Sequence, residues 1–239
     1  MNYSQSFKEV VRHFLYRSGL FSLLKAYRRR SGIITEHLDE KGIEGRFAEI
    51  YKRGVWRQSD TQLADSGLGS ELHLTEGMRS ELPHVLRSVE AKTLVDLGCG
   101  DWTWMSQIEI PCLYVGVDIV SDIVSSNRDA FGSPKVSFIQ LDAVTQPIPK
   151  CDVVLCREVL FHLSFRDASA VIQNIKRHAE WLIATSDCDI WFNSDIPTGD
   201  FRMLNLQRGP FYFPRPDQEI PDAQLVPGRI LGVWNTARL

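Results

Sequence analysis

Twelve residues, Thr93 to Trp104 (TLVDLGCGDWTW), constrain this chain more than any others. Leu94, Val95 and Leu97 form a short apolar run bounded by Gly98 and Gly100. That is the pattern of a buried strand running into a tight loop. Neither glycine carries a Cβ, so the backbone can turn sharply there and come close to a ligand. Asp96 precedes the first glycine by two positions. Such a strand and loop open a nucleotide-type pocket at the carboxyl end of the first strand of an α/β sheet.

Two ligand classes use a loop of this kind. A dinucleotide site wants G-x-G-x-x-G facing a pyrophosphate. Here the third glycine position is Thr103, and Asp101 and Trp102 crowd the turn. A carboxylate beside a pyrophosphate is unfavourable, whereas one beside a cation is favourable. S-adenosylmethionine (SAM) carries a sulfonium and an ammonium, so Asp96 suits its aminoacyl end. A glycine turn with no ligand is the plainer alternative. The following strands weigh against it. Leu113 to Ile119 (LYVGVDI) places Asp118 twenty residues after Gly98, the position from which an acid reaches ribose hydroxyls. Val136 to Asp142 (VSFIQLD) ends in a third acid, and Asp142 with Ala143 suits an adenine edge. Each acid alone reads as a turn residue; three at one pocket edge favour a site.

The motifs VDLGCGDW, GVDI, LDA and CDVVLCRE resemble the class I SAM-dependent methyltransferases, over roughly residues 46–239. The resemblance implies an α/β, three-layer Rossmann-like fold, with a seven-stranded, mostly parallel sheet whose last strand is antiparallel. It also implies SAM as cofactor. Asp96, Gly98 and Gly100 would border the methionine portion, Asp118 and Ile119 the ribose, and Asp142 with Ala143 the adenine.

The length suffices for one α/β domain with a full core. Net charge is −3 at pH 7, so the chain is not a nucleic-acid polycation. Cys99, Cys112, Cys151, Cys156 and Cys188 show no paired spacing, which fits reduced thiols in a cytoplasmic protein. No run is long and apolar enough to span a bilayer. Basic residues interrupt the first apolar positions, so a cleavable signal is not expected.

Residues 1–45 read as a helical appendage and linker, and 46–239 as the main domain. Residues 1–30 carry +6, leaving −9 for the remainder. Phe7, Val10, Val11, Phe14 and Leu15 recur at helical spacing, as do Leu20, Phe21, Leu23, Leu24 and Tyr27 beyond Gly19. Two short amphipathic helices follow from this. Their apolar stripe either packs on the domain as a lid or rests on an anionic membrane, which would make the protein peripheral to its inner face. Packing is the plainer expectation. Residues 31–45 read as the linker, 47–56 as a helix, 58–70 as a loop, and 76–89 as a helix interrupted at Pro83. A helix is expected to open at Trp102, and others at 119–131 and 165–178. Strands are expected at 153–156, 181–185 and 229–234, with a long loop over 193–216.

SAM is an activated donor, so catalysis is mostly alignment; a hydroxyl acceptor must also lose its proton. His162, in CREVLFHLSF, follows the fourth strand and has the ordinary pKa of a base at neutral pH. A histidine packed at a helix end is the plainer reading. Glu158 and Arg157 share that strand tip; Glu158 suits orienting His162 or the substrate and Arg157 holding an anionic group, and a simple ion pair is the alternative for either. Asp195, Thr198, Asp200, Arg202 and Asn205 lie in a loop rich in carboxylates, amides and aromatics, a mixture that suits a polyhydroxylated acceptor. Turn closure by the same residues is an equal alternative. Asp187, Asp189 and Asp195 are close in sequence but read as turn residues, so no metal is expected.

FAEIYKRGVW, SGLGSELHLT, LCREVLFHLSF and DIPTGDFRMLNLQRGPFYFP resemble a bacterial subgroup of class I methyltransferases of poorly defined substrate, with SGxGS and TGDxRxLNL loops. Leu68 stands where the usual form has Pro, and Phe201-Arg202-Met203 where it has Trp-Arg-Pro. The resemblance implies that Ser66, Gly67, Gly69 and Ser70 close over SAM and that the acceptor is a small molecule or glycan, methylated on oxygen. The rival readings are a nucleic-acid or protein methyltransferase, a non-catalytic SAM-binding module and a dehydrogenase. The first lacks N/D-P-P-Y and Pro-Cys motifs at Cys156 to Val159 and any basic stripe through the domain. The second conflicts with the intact loop, and the last with Thr103.

Overall fold

A computed structural model describes residues 3–59 and 61–239, with side chains from residue 7 onward. Met1 and Asn2 of the N-terminal segment and Asp60 of the expected 58–70 loop lie outside the described residues. Seven strands form one sheet: β1 (Thr93–Leu97), β2 (Leu113–Asp118), β3 (Val136–Gln140), β4 (Cys151–Cys156), β5 (Ala179–Asp187), β6 (Gln218–Pro221) and β7 (Arg229–Asn235). Their order is β3-β2-β1-β4-β5-β7-β6. β1 to β5 are parallel, and β7 runs antiparallel between β5 and β6. Chain order reverses between β1 and β4, and ligands of open α/β sheets bind beyond the strand ends at such a point.

Alternate strand residues feed two cores. Val95, Leu97, Val154, Cys156, Leu182, Ala184 and Trp234 pack on one face; Leu94, Val153, Leu155, Ile183, Leu231 and Val233 pack on the other. The first face is covered by α6 (Phe165–His178), whose Ala168, Val171, Ile172 and Ile175 are buried as expected. Each fully buried Val or Ile there contributes about 1.5–3 kcal/mol. Ser164 caps α6 by accepting from the Asp167 backbone N–H. The second face is covered by α4 (Glu76–Ser88), which continues through Pro83, and by α5 (Ser121–Phe131).

Four local expectations change. The helix expected at Trp102 is only one 3₁₀ turn, Met105–Gln107. Trp102 takes a left-handed backbone (φ 60°), and its ring packs among Phe131, Tyr114 and Phe138, plugging the face a helix would cover. β5 runs longer than expected at both ends, because Ala179 pairs with Cys151 of β4 and β7 pairs from Trp181 to Asp187. β6 was not expected; its Pro221 is tolerated because the strand lies at the sheet edge. Residues 31–45 do not hang free: Thr35, His37 and Leu38 are buried, a 3₁₀ turn spans Glu36–Asp39, and α3 (Ile43–Lys52) begins inside the expected linker. The two N-terminal helices form as read, α1 (Tyr3–Arg17) and α2 (Phe21–Arg30), joined through Gly19.

Candidate active site

A cleft opens at the carboxyl ends of β1, β2 and β4, where ligands of open α/β sheets bind. Asp96, Gly98, Asp118, Ile119, Asp142 and Ala143 line it, as do Ser66, Ser70, Arg157, Glu158 and His162. These candidates, scattered over nearly 100 positions of sequence, share one space. Gly67, Gly69 and Gly100 stand behind the lining. A Cβ on Gly69 would fall 1.9 Å from the Glu158 carboxylate, and one on Gly100 would fall 2.3 Å from Ser66 Oγ. Gly98, at φ 69°, faces the cleft, and a Cβ there would meet Val159 at 2.5 Å.

The two glycine loops are clasped together. Ser66 N–H donates to Asp101 Oδ2 at 3.1 Å, and Asp101 N–H donates to Ser66 Oγ at 2.9 Å. Gly98 and Cys99 N–H both donate to the Val117 carbonyl, and Gly100 N–H donates to Asp118 Oδ2 at 3.1 Å. The loop donors that a pyrophosphate would need are therefore already committed, and no helix N-terminus follows them. Four carboxylates, Asp96, Asp118, Asp142 and Glu158, line the same space. A cationic adenosyl ligand fits this lining and a dinucleotide does not.

Asp96 is buried; its Oδ2 accepts from Tyr114 Oη at 2.7 Å. Burial pushes its pKa up to about 7, with neighbouring Asp118 adding to the rise and Tyr114 and Arg157 opposing it. Burial likewise raises Asp118, against the backbone N–H groups of Val120 and Gly100. Each carboxylate oxygen of Asp118 keeps a lone pair for a ribose hydroxyl. Asp142 closes its own turn, accepting from Val144 N–H and Thr145 Oγ1 while lining the cleft.

His162 is half-buried, with Trp56 at 5.1 Å and Phe161 at 4.7 Å between ring centroids. Its Nδ1 donates to the Asp200 carbonyl at 2.9 Å. Burial pushes its pKa down to about 4, partly offset by that carbonyl. The ring is neutral at pH 7, and Nε2 is its acceptor. Glu158 adopts φ 56° and pairs with Arg229 at 2.8 Å; Arg229 also binds Asp187 at 2.8 Å, and Arg157 binds Asp222 at 3.3 Å. Arg157 and Glu158 are thus members of a buried five-residue charge cluster rather than a simple pair.

The five residues read as acceptor contacts do not line the cleft. Asp195 Oδ1 accepts from the Phe165 N–H, and Thr198 Oγ1 bonds Asp167 and the Ser164 N–H. Asp200 pairs with Arg28 at 2.9 Å, buried Arg202 donates to the Leu163 and Leu160 carbonyls, and Asn205 donates to those of Ile190 and Cys188. The loop carries no regular hydrogen-bond ladder, so its polar side chains satisfy its own buried backbone. Sequence reasoning missed Ile43, Phe47 and Tyr51, which line the cleft from α3. Their i, i+4, i+8 spacing marked one helix face and was the available signal.

Residues 95–180 match the family profile described as a methyltransferase domain. The fold is that of a class I methyltransferase. No curated protein sequence matches the chain. Among solved structures, it is similar to mitomycin 7-O-methyltransferase MmcR at 15% identity, covering 68% of this chain and 53% of that one, with a TM-score of 0.52. It is also similar to the methyltransferase domain of bacterial CtHen1-C (21% identity, 48% of this chain, 66% of that one, TM-score 0.42). A third is the N-methyltransferase NodS from Bradyrhizobium japonicum, solved with S-adenosyl-L-homocysteine (13% identity, 58% of this chain, 72% of that one, TM-score 0.45). The profile match and the cleft lining together support SAM as the cofactor of this methyltransferase fold.

Proposed function

We propose that this chain is a SAM-dependent methyltransferase that methylates a hydroxyl group of a small molecule or glycan, with His162 as general base and residues 46–239 as the catalytic domain. Bound SAM supplies an electrophilic methyl group on a positively charged sulfur. Asp96 and Asp118 would hold its cationic and ribose portions, and Asp142 with Ala143 the adenine edge. One observation carries the choice of base: the Asp200 carbonyl holds the Nδ1 proton of His162, leaving Nε2 as a neutral acceptor on a side chain lining the cleft. A base with so low a pKa suffices, because the acceptor oxygen becomes strongly acidic as its bond to the methyl carbon forms. Trp56, packed on His162, offers an aromatic face for a ring-shaped acceptor. Arg157 and Glu158 offer one donor and one acceptor at the same wall.

The test is transfer of radiolabelled methyl from SAM to fractionated small-molecule extract and envelope glycans. Incorporation that His162→Ala abolishes, with SAM affinity intact, supports the reading. Incorporation at the parent rate would place the base elsewhere, and a chain that binds no SAM by calorimetry would overturn the enzyme itself.

A further inference from the structure

Helices α1 and α2 sit on the body through four polar side chains, Glu9, Arg12, His13 and Arg28. Buried Glu9 accepts from Ser194 Oγ, and Arg12 donates to the Phe201 carbonyl. His13 Nδ1 accepts from the Asp195 N–H at 3.0 Å, and Arg28 forks both oxygens of Asp200 at 2.9 Å. Val10, Leu15, Phe21 and Leu24 are half-buried, but a second set of apolar side chains faces out: Phe7 is 66% exposed, Phe14 65%, Leu23 64% and Tyr27 69%. Phe7, Val11 and Phe14 follow i, i+4, i+7, and Leu20, Leu23 and Tyr27 follow i, i+3, i+7, so each set makes one stripe. The lid expected from the sequence exists, but part of the stripe that should have packed beneath it is left uncovered.

Charge on this face has one sign. Lys8, Arg17 and Arg30 are exposed and belong to no ion pair among the described residues. Glu9, the only acid of either helix, is buried against Ser194. An isologous dimer through this surface would set those cations against their own copies. An anionic bilayer instead matches the apolar stripe with acyl chains and the cations with headgroups. No helix among the described residues is long and apolar enough to cross a membrane. We propose that the outer face of α1 and α2 is a docking surface for an anionic lipid bilayer, lying in the interface plane. The dock adjoins the cleft: Arg12 holds the Phe201 carbonyl, and the Phe201 ring packs 5.8 Å from that of His162.

The test is co-sedimentation of the full chain with vesicles of phosphatidylcholine alone or with phosphatidylglycerol, over a salt series. Pelleting is expected only with the anionic vesicles, weakening with salt. Phe14→Ser with Leu23→Ser should abolish it, and each of Lys8→Glu, Arg17→Glu and Arg30→Glu should weaken it at least about fivefold. All of these exposed variants should keep the parent's melting temperature and SAM affinity, which separates loss of docking from loss of fold or cofactor site. Absence of pelleting at every composition, or pelleting that the substitutions leave unchanged, would overturn the proposal. A dimer by light scattering that the same substitutions dissolve would also overturn it, making a second copy the occupant.

Discussion

Asp96→Asn separates what the buried carboxylate does to the fold from what it does for the ligand. Asp96 is 4% exposed, and burial pushes its pKa up to about 7. A carboxyl that titrates near 7 rather than near 3.9 costs the folded state about 4 kcal/mol once ionised. The folded pKa lies above the unfolded one, so the folded state holds the proton more tightly. Stability therefore falls as pH rises from about 4 to about 7 and is level beyond. Asn cannot ionise and still offers an oxygen to the Tyr114 hydroxyl. The variant should melt higher than the parent at about pH 8, by about 8 °C for a domain of this size, and the gap should close towards about pH 4. A cationic ligand reverses the preference, because it favours the ionised carboxylate. SAM affinity of the parent should rise with pH up to about 7, by at most about tenfold per pH unit, whereas that of the variant should be weaker and level. Differential scanning fluorimetry across pH reads the first effect. Calorimetry in two buffers of different ionisation enthalpy reads the second, as proton release on binding near pH 6.5, about half a unit below the midpoint. Coincident melting curves for the two proteins, or parent binding with no proton release, would refute the reasoning.

Asp118→Ala removes the acceptor proposed for the ribose diol together with the partner of the Gly100 N–H, and should weaken SAM binding about tenfold or more by calorimetry. His162→Gln should lower kcat by about 10²–10⁴ at unchanged SAM affinity. In the parent, kcat should stay level from about pH 5 to 8, since the ring protonates only near 4. Arg229→Met strands buried Asp187 and its neighbour Glu158, and should cost about 3–5 kcal/mol in urea denaturation.

The strands and the acidic edge of the cleft were legible because each was a local signal. Leu94 packs in one core and Val95 and Leu97 in the other before the strand runs into Gly98; Asp118 and Asp142 end or follow apolar strands. Period two and strand-end acids survive whatever surrounds them. The region from Asp195 to Asn205 read as acceptor chemistry because its composition is polar, but polarity does not distinguish side chains that face a ligand from those that satisfy buried backbone. Arg202 shows the difference: it is fully buried, donates to two carbonyls and lies over the Phe165 ring. The missing helix after β1 depends on Trp102 finding Tyr114, Phe131 and Phe138, contacts that span up to 36 positions and carry no local periodicity. The orientation of α1 and α2 was equally hidden. Helical spacing showed that the apolar stripe exists, but not that Glu9, His13 and Arg28 would find partners on the body and turn part of the stripe outward.

Backbone strain marks two points beside the β1 and β4 tips, out of four non-glycine left-handed residues among those described. Non-glycine residues with left-handed backbone include Trp102, in the loop after β1, and Glu158, two positions beyond β4. Each such conformation costs of order 1–3 kcal/mol and persists only where the surroundings over-determine it. Three aromatic rings hold Trp102; the Arg229 ion pair and the bond from its own N–H to Thr185 Oγ1 hold Glu158. The two strained points flank the switch between β1 and β4, and the protein's own side chains hold both. Contacts internal to the protein thus fix these two loop tips, which is the kind of pre-organisation that lowers the cost of ligand binding. Direct methyl transfer rewards that arrangement, since its rate depends on alignment set in advance rather than on groups that move during the reaction.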